Sequence, residues 1–358
     1  MKTRRRRFAP WPAILLALCC GSCAFWRPPA DALTSAQYAR LAQRAKPPEE
    51  LGLQRSGPEA WGPVWIAQGR PERTVLDFSA HRHAAQILPI VQLRVNGRRT
   101  QALVDSGAAG GLMDYTCAIG GGATPLRDAG GGIAQLPRMT AQGLAGDYRA
   151  YPAIISRLEL GGVRMDRVPV AILDDPRGLA GSGWMGGERV EMLLGADFLS
   201  RFDRAIFDFP RERLVLENGP ETAQTASGTW TAPLLPAQAR PTVTAALDGF
   251  GAFNMVPDTG ADFGLWLPAA LAKRIGLAER AAASPLRHAR ALGGSVYLRD
   301  ISDHYLRLGD GPPIRVPVTL GPTGDLREQP ALLGRAVLER FVVIFDHQND
   351  RFTLLSPR

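Results

Sequence analysis

The stretch LELGGVRMDRVPV at residues 158–170 returns as LRLGDGPPIRVPV at residues 306–318, with both leucines, a glycine and the Arg-Val-Pro-Val tetrapeptide in register. Repetition of this kind means that one supersecondary unit is used twice. The closing stretches agree: LLGADFLSRFDRAIFDFPRERLVL at 193–216 and LLGRAVLERFVVIFDHQNDRFTLL at 332–355 align with a single gap. Each reads as the end of an apolar strand, a short helix, and a β-hairpin entered through Phe207-Asp208 or Phe345-Asp346. Near the front of each copy an apolar hairpin turns at Asn96-Gly97 or Asp248-Gly249, dipeptides that tolerate the left-handed backbone of tight turns. Short alternating strands and frequent turn residues predict an all-β chain, mainly β with short helices, arranged as two lobes.

Each hairpin leads into an acidic motif. The two copies are Val104-Asp105-Ser106-Gly107-Ala108-Ala109 and Pro257-Asp258-Thr259-Gly260-Ala261-Asp262. One Asp-[Ser/Thr]-Gly-Ala tetrapeptide means little. Two at equivalent places in a repeat, both still acidic, point to paired carboxyl groups meeting at the seam between the lobes. Such a pair suits hydrolysis without metal or covalent intermediate, because one group can take a proton from water while the other gives one to the substrate. Carboxyls held about 3 Å apart cannot both ionise, so they share a proton and titrate together. Gly107 and Gly260 permit a tight turn with no Cβ in the way. The Ser106 and Thr259 hydroxyls are suited to bonding across the interface, and Ala108 and Ala261 keep the turn small.

On these motifs both halves resemble retropepsin-like aspartyl proteases, joined in one chain as in the pepsin type, over about Gln86 to Leu355. The resemblance implies the acid protease fold, two pseudo-twofold-related β-barrel lobes with an intervening cleft. It implies Asp105 and Asp258 as the catalytic dyad, Ser106 and Thr259 as interlobe hydroxyls, and Leu193-Leu194-Gly195 and Leu332-Leu333-Gly334 as segments threading past the catalytic loops. The flaps that cover the cleft in that family would fall on Gly130, Gly131 and Gly132 in the first half and on Gly293 and Gly294 in the second. No flap tyrosine is evident, although Tyr115, Tyr148 and Tyr297 lie nearby in sequence. Pro257 departs from the family's aliphatic residue, and the second lead-in is one residue longer, so the strand before Asp258 is expected to bulge.

At the chain's start Lys2 and Arg4 to Arg7 precede an apolar stretch from Ala13 to Cys20 and then Gly21-Ser22-Cys23, the order of a bacterial secretion signal. It resembles a lipoprotein signal in which Cys23 would be acylated, placing the chain in the cell envelope, periplasmic or tethered to a membrane. The expected layout is a signal at 1–23, a tether with a short helix from about Ser35 to Ala45 and an irregular lead-in at 24–80, lobe 1 at 81–217, a linker at 218–235, and lobe 2 at 236–358. The formal charge of +8 is not a nucleic-acid signature, because five of the 42 basic residues belong to that leader and 34 acidic residues face the rest.

The remaining motifs read as structural. Cys19, Cys20 and Cys23 lie in the leader, so Cys117 is the body's sole thiol and reads as a buried filler. His81 and His83 alternate as metal ligands on a strand would, but lack a third partner. Gly181-Ser182-Gly183 lacks nucleophile-elbow spacing. Asp208 and Asp346 read as turn-entry residues. The expected activity is that of an exported aspartic endopeptidase, a monomer that binds an extended polypeptide and uses no metal or cofactor. The rival expectation is an envelope binding protein that has lost turnover through Pro257.

Overall fold

Asn96 and Gly97 both adopt left-handed backbone, with φ of 48° and 86°, and so close a tight hairpin between Ile90–Val95 (β1) and Arg98–Val104 (β2). Along β1 buried and exposed residues alternate after the first pair, so one face of the ribbon enters the core. Residues 32–55, 61–63, 66–68, 71–79, 82–83, 86–127, 136–144, 146–181, 190–219, 229–235, 239–281, 283–292, 294–321 and 329–357 are described by the computed structural model. The leader with Cys23, together with His81, Gly130, Gly131, Gly132, Ser182, Gly183 and Gly293, lies outside them.

Four further strands complete a first barrel: Leu112–Met113 (β3), Gly146–Leu160 (β4), Val163–Leu173 (β5) and Met192–Leu194 (β6). Hydrogen bonding runs β1-β2-β6-β3-β5-β4 and returns from β4 to β1, which removes free edges from this circuit. The second half supplies Val243–Leu247 (β7), Gly251–Pro257 (β8), Leu265–Leu267 (β9), Gly294–Leu308 (β10), Ile314–Leu320 (β11) and Ala331–Leu333 (β12). Its circuit is β7-β8-β12-β9-β11-β10 and back to β7. The two orders are the same. In each, one short parallel strand pair, β2 with β6 or β8 with β12, carries the motif aspartate at its end.

A six-stranded antiparallel sheet joins the barrels beneath this seam. Its centre is Arg204–Asp208 beside Val342–Asp346, each paired outward with its hairpin partner, Arg213–Glu217 or Arg351–Leu355. Phe207 meets Phe345 edge-on with centroids 5.9 Å apart, which links the apolar interiors of the two halves across the sheet. Asp208 and Asp346 accept backbone N–H bonds from Arg211 and Asn349 at 3.3 and 3.0 Å, holding the hairpin turns. The outermost strands are Arg73–Asp77 and Thr229–Pro233, with the same alternating burial. The segments read from sequence as lead-in and linker therefore each contain a strand, and the correspondence of the halves starts earlier than the acidic hairpins.

Ahead of the barrel, Thr34 caps a helix at Ser35–Ala42, three residues shorter than the periodicity predicts. Its Leu41 is fully buried, and its Tyr38 stacks edge-on against Tyr151 and accepts the Leu136 N–H at 3.0 Å. The helix thus packs on lobe 1. Cys117 is buried beside Thr100, and burial pushes its thiol up to about 11, as suits a filler. Among the described residues no helix is long and apolar enough to cross a membrane.

Candidate active site

Parallel pairing within each barrel fixes where the motif aspartates emerge. The Asp105 N–H donates to the Leu194 carbonyl at 2.9 Å, and the Asp258 N–H to the Leu333 carbonyl at 2.8 Å. The chain then turns back on itself. Gly107 and Ala108 donate to Asp105 Oδ1 at 2.8 and 3.2 Å, and Gly260 and Ala261 donate to Asp258 Oδ1 at 2.9 and 3.0 Å. In both copies one carboxylate oxygen is held by its own loop, and the other is left to face across the seam.

The hydroxyls between them lock the loops together. Ser106 Oγ donates to the Pro257 carbonyl at 2.7 Å and accepts the Thr259 N–H at 3.1 Å. Reciprocally, Thr259 Oγ1 donates to the Val104 carbonyl at 2.8 Å and accepts the Ser106 N–H at 3.0 Å. Both side chains are fully buried, so all four bonds are sheltered from water. The glycines explain how the carboxyls come so close. A Cβ on Gly260 would stand 2.6 Å from Asp105 Oδ2, and one on Gly107 would run into the Asp258 carboxylate. Each carboxyl lies over the other lobe's motif glycine.

Pro257 does not produce the expected bulge. Leu247 pairs with Gly251, so the extra residue is absorbed in a three-residue turn at Asp248, Gly249 and Phe250. From there the register is regular, and Pro257 faces Leu333 as Val104 faces Leu194. What proline gives up is one donor: Val104 N–H bonds the Pro89 carbonyl at 2.9 Å, and Pro257 has no N–H to offer. Its carbonyl, the atom the Ser106 hydroxyl needs, is unaffected.

The two carboxyls hydrogen-bond each other, and both hold protons more tightly than an ordinary aspartate. Burial is the main cause for both. For Asp105 the neighbouring Asp258 charge adds to it and drives its pKa well up. For Asp258 the hydrogen bond from Asp105 and the positive charge of Arg240 partly offset burial. The two carboxyls therefore titrate as one pair, which holds its last proton above the usual aspartate range. Tyr148, on the strand above, sits close enough for Asp105 to act on it, and burial chiefly pushes its phenol up to about 12.

Two hairpins send their tips to the apolar groups that also receive the motif alanines Ala108 and Ala261. One joins Met139–Gly143 to the start of β4, the other joins Leu286–Ala291 to the start of β10. Gly146 and Gly294 occupy the same turn position with φ of 133° and 134°. Their tips cross: Leu144 packs on the group containing Val256, Phe263 and Trp266 of the second barrel, while Leu292 packs on the group containing Leu88, Ile90 and Leu193 of the first. The Leu292 carbonyl lies directly against Gly143. Of the flap glycines expected from sequence, Gly294 is on such a turn. In the first half the last pair of the hairpin is Gly143 with Gly146, downstream of Gly130, Gly131 and Gly132.

Behind the loops the short helices Ala196–Leu199 and Arg335–Leu338 begin where their first amides donate to Ala108 and Ala261 carbonyls, both at 2.8 Å. Here the halves differ. Arg335 is buried and bonds the carbonyls of Ala261 and Ile87 at 3.3 and 2.8 Å, whereas Ala196 stands at its counterpart. Asp197 accepts the Phe198 N–H at 2.7 Å, and burial pushes its carboxyl up to about 7. Neither residue stands out in sequence, because their weight comes from what they touch across loops.

Residues 91–198 match the family model described as Aspartyl protease, a span reaching from β1 through Asp105 to the first short helix. The match supports a place among retropepsin-like aspartyl proteases and a peptidase of aspartic type. Among curated proteins none matches the chain.

Proposed function

We propose that the chain is an exported aspartic endopeptidase in which Asp105 and Asp258, one from each half, hydrolyse a peptide bond held beneath the two hairpins. The observation that carries this reading is the reciprocal seating of the carboxyls, each bonded to the other and lying over the other motif's glycine. The ionised member of the pair takes a proton from a water molecule poised between the two carboxyls. The water oxygen bonds to the carbonyl carbon while the proton on the other carboxyl passes to the carbonyl oxygen. Collapse of the tetrahedral diol breaks the C–N bond, with a proton delivered to the leaving amine and the pair restored to its singly protonated state. Ser106, Gly107 and Ala108, with Thr259, Gly260 and Ala261, hold this geometry and do not react.

The substrate is an extended polypeptide, since a cleft between two barrels with hairpins above it suits a chain bound by its backbone. The leader and Cys23 favour an envelope location with a lipid tether, and a dyad completed within one chain favours a monomer. Asp258 keeps the same backbone partners as Asp105, which weakens the case for a non-hydrolytic binder based on Pro257. A peptide library incubated with the protein from pH 3 to 8, beside Asp105→Asn and Asp258→Asn, tests the reading. Cleavage lost in both variants supports it; cleavage that survives either substitution removes the shared dyad.

A further inference from the structure

The two barrels match in strand order, yet the cleft they form is not electrically symmetric. Ile90 and Thr242 are equivalent, because their carbonyls accept from Ser79 and Leu235 at 2.7 Å each. Two residues earlier, and just before the matching Pro89 and Pro241, the first half has Leu88 and the second has Arg240. Leu88 is 2% exposed and belongs to the apolar group on which the Leu292 tip rests. Arg240 is half-buried and reaches across the seam, with Nη1 3.4 Å from the carbonyl of Gly107, the glycine that lies under Asp258.

We propose that Arg240 makes one end of the cleft a carboxylate-binding subsite, so that the favoured substrate carries a negative charge on one side of the scissile bond and not on the other. The charge could be an Asp or Glu side chain or a free C-terminal carboxylate, which present the same group to a guanidinium. A dyad that shares one proton carries a net negative charge and repels a second anion. A guanidinium beside it reverses that preference locally. At the matching position Leu88 is buried in the group under the Leu292 tip and supplies no cationic partner, so a charge brought there would go uncompensated. This inference refines the peptidase reading and rests on it for the location of the cleft.

The test uses two copies of one peptide library, one with free and one with amidated C-termini, digested by the wild-type protein, Arg240→Leu, Arg240→Gln and Arg240→Lys. Leucine is what the equivalent position holds in the first half, and glutamine retains a donor for the Gly107 carbonyl, so at least one uncharged variant should preserve the fold. The wild type should cut peptides with a carboxylate at one fixed distance from the cut about tenfold better than neutral ones, as a charge-assisted bond implies. That ratio should fall to about one in both uncharged variants and persist in part in Arg240→Lys. Because it compares two substrates on the same enzyme, a change in Asp258 cancels. Loss of preference on amidation identifies the terminal carboxylate, and its persistence identifies a side chain. Equal cleavage of acidic and neutral peptides by the wild type overturns the proposal, as does a preference unchanged in Arg240→Leu or Arg240→Gln. If nothing is cleaved, the peptidase reading fails, and the same libraries are passed over immobilised proteins. Acidic peptides retained by the wild type but not by Arg240→Gln then still support the subsite; no retention, or no acidic bias, refutes it.

Discussion

At the scale of single residues, the dyad is the part of the site most visible in sequence, since two acidic tetrapeptides in equivalent places need only the repeat to bring them together. Replacing either by asparagine removes a proton-transfer partner and should lower kcat/KM by at least about 100-fold. The same substitutions separate activity from stability. A carboxyl whose folded-state pKa is raised favours the fold below the ordinary aspartate range and loses that contribution as pH rises through its shifted value. At neutral pH, Asp105→Asn should thus melt no lower than the wild type in a thermal scan. The pH profile has a sign as well. On the proposed mechanism, activity should fall on the acid side as the pair takes up a second proton and on the basic side as it loses its last one. Arg240 favours ionised Asp258, so Arg240→Leu should move the acid limb of kcat/KM to higher pH. An unmoved limb would mean that its charge does not reach the dyad. Nothing in the sequence marks Arg240: one arginine before a proline has no pattern, and its significance arises only from a contact across the seam.

Among the elements, hairpins and short helices are legible where turn chemistry is explicit. Asn96-Gly97 announces its turn. The first-half hairpin tip is different, because Gly143-Leu144-Ala145-Gly146 has the same sequence layout as Ala291-Leu292-Gly293-Gly294 but is less glycine-rich than the Gly130 to Gly132 run that draws the eye. Strand Arg73–Asp77 is obscured for another reason: its five residues alternate in burial, but the Gly- and Pro-rich surroundings hide so short a period. The locking of the two motif loops is testable at this scale. Ser106→Ala deletes the donor to the Pro257 carbonyl and the acceptor for the Thr259 N–H in a fully buried site. Leaving those groups unsatisfied should cost about 1–3 kcal/mol each, seen as a lower midpoint in urea unfolding. Thr259→Ser, which keeps the hydroxyl, should cost much less. Equal stability of Ser106→Ala and wild type would show that the hydroxyls do not hold the lobes in register.

For the molecule as a whole, the repeat made the two-barrel plan readable, and the joining sheet follows from the hairpins that close each half. What the repeat hides is where the halves diverge, as at Arg335 against Ala196, Arg240 against Leu88 and Pro257 against Val104. Pro257 is the instructive one, since a local rule predicts a distorted strand while the extra residue is taken up one turn earlier at Phe250. Because both aspartates belong to one chain and the central sheet pairs Arg204–Asp208 with Val342–Asp346, specific activity should be independent of protein concentration across a dilution series. A fall on dilution would indicate a site completed by a second copy. The most direct test of the shared proton is the titration of the Asp105 carboxyl carbon by NMR, in the wild type and in Asp258→Asn. A pair that shares a proton predicts an Asp105 midpoint well above that of an ordinary aspartate, moving down once the Asp258 charge is gone. A midpoint that stays where it was in the variant would contradict the coupling on which the catalytic reading depends.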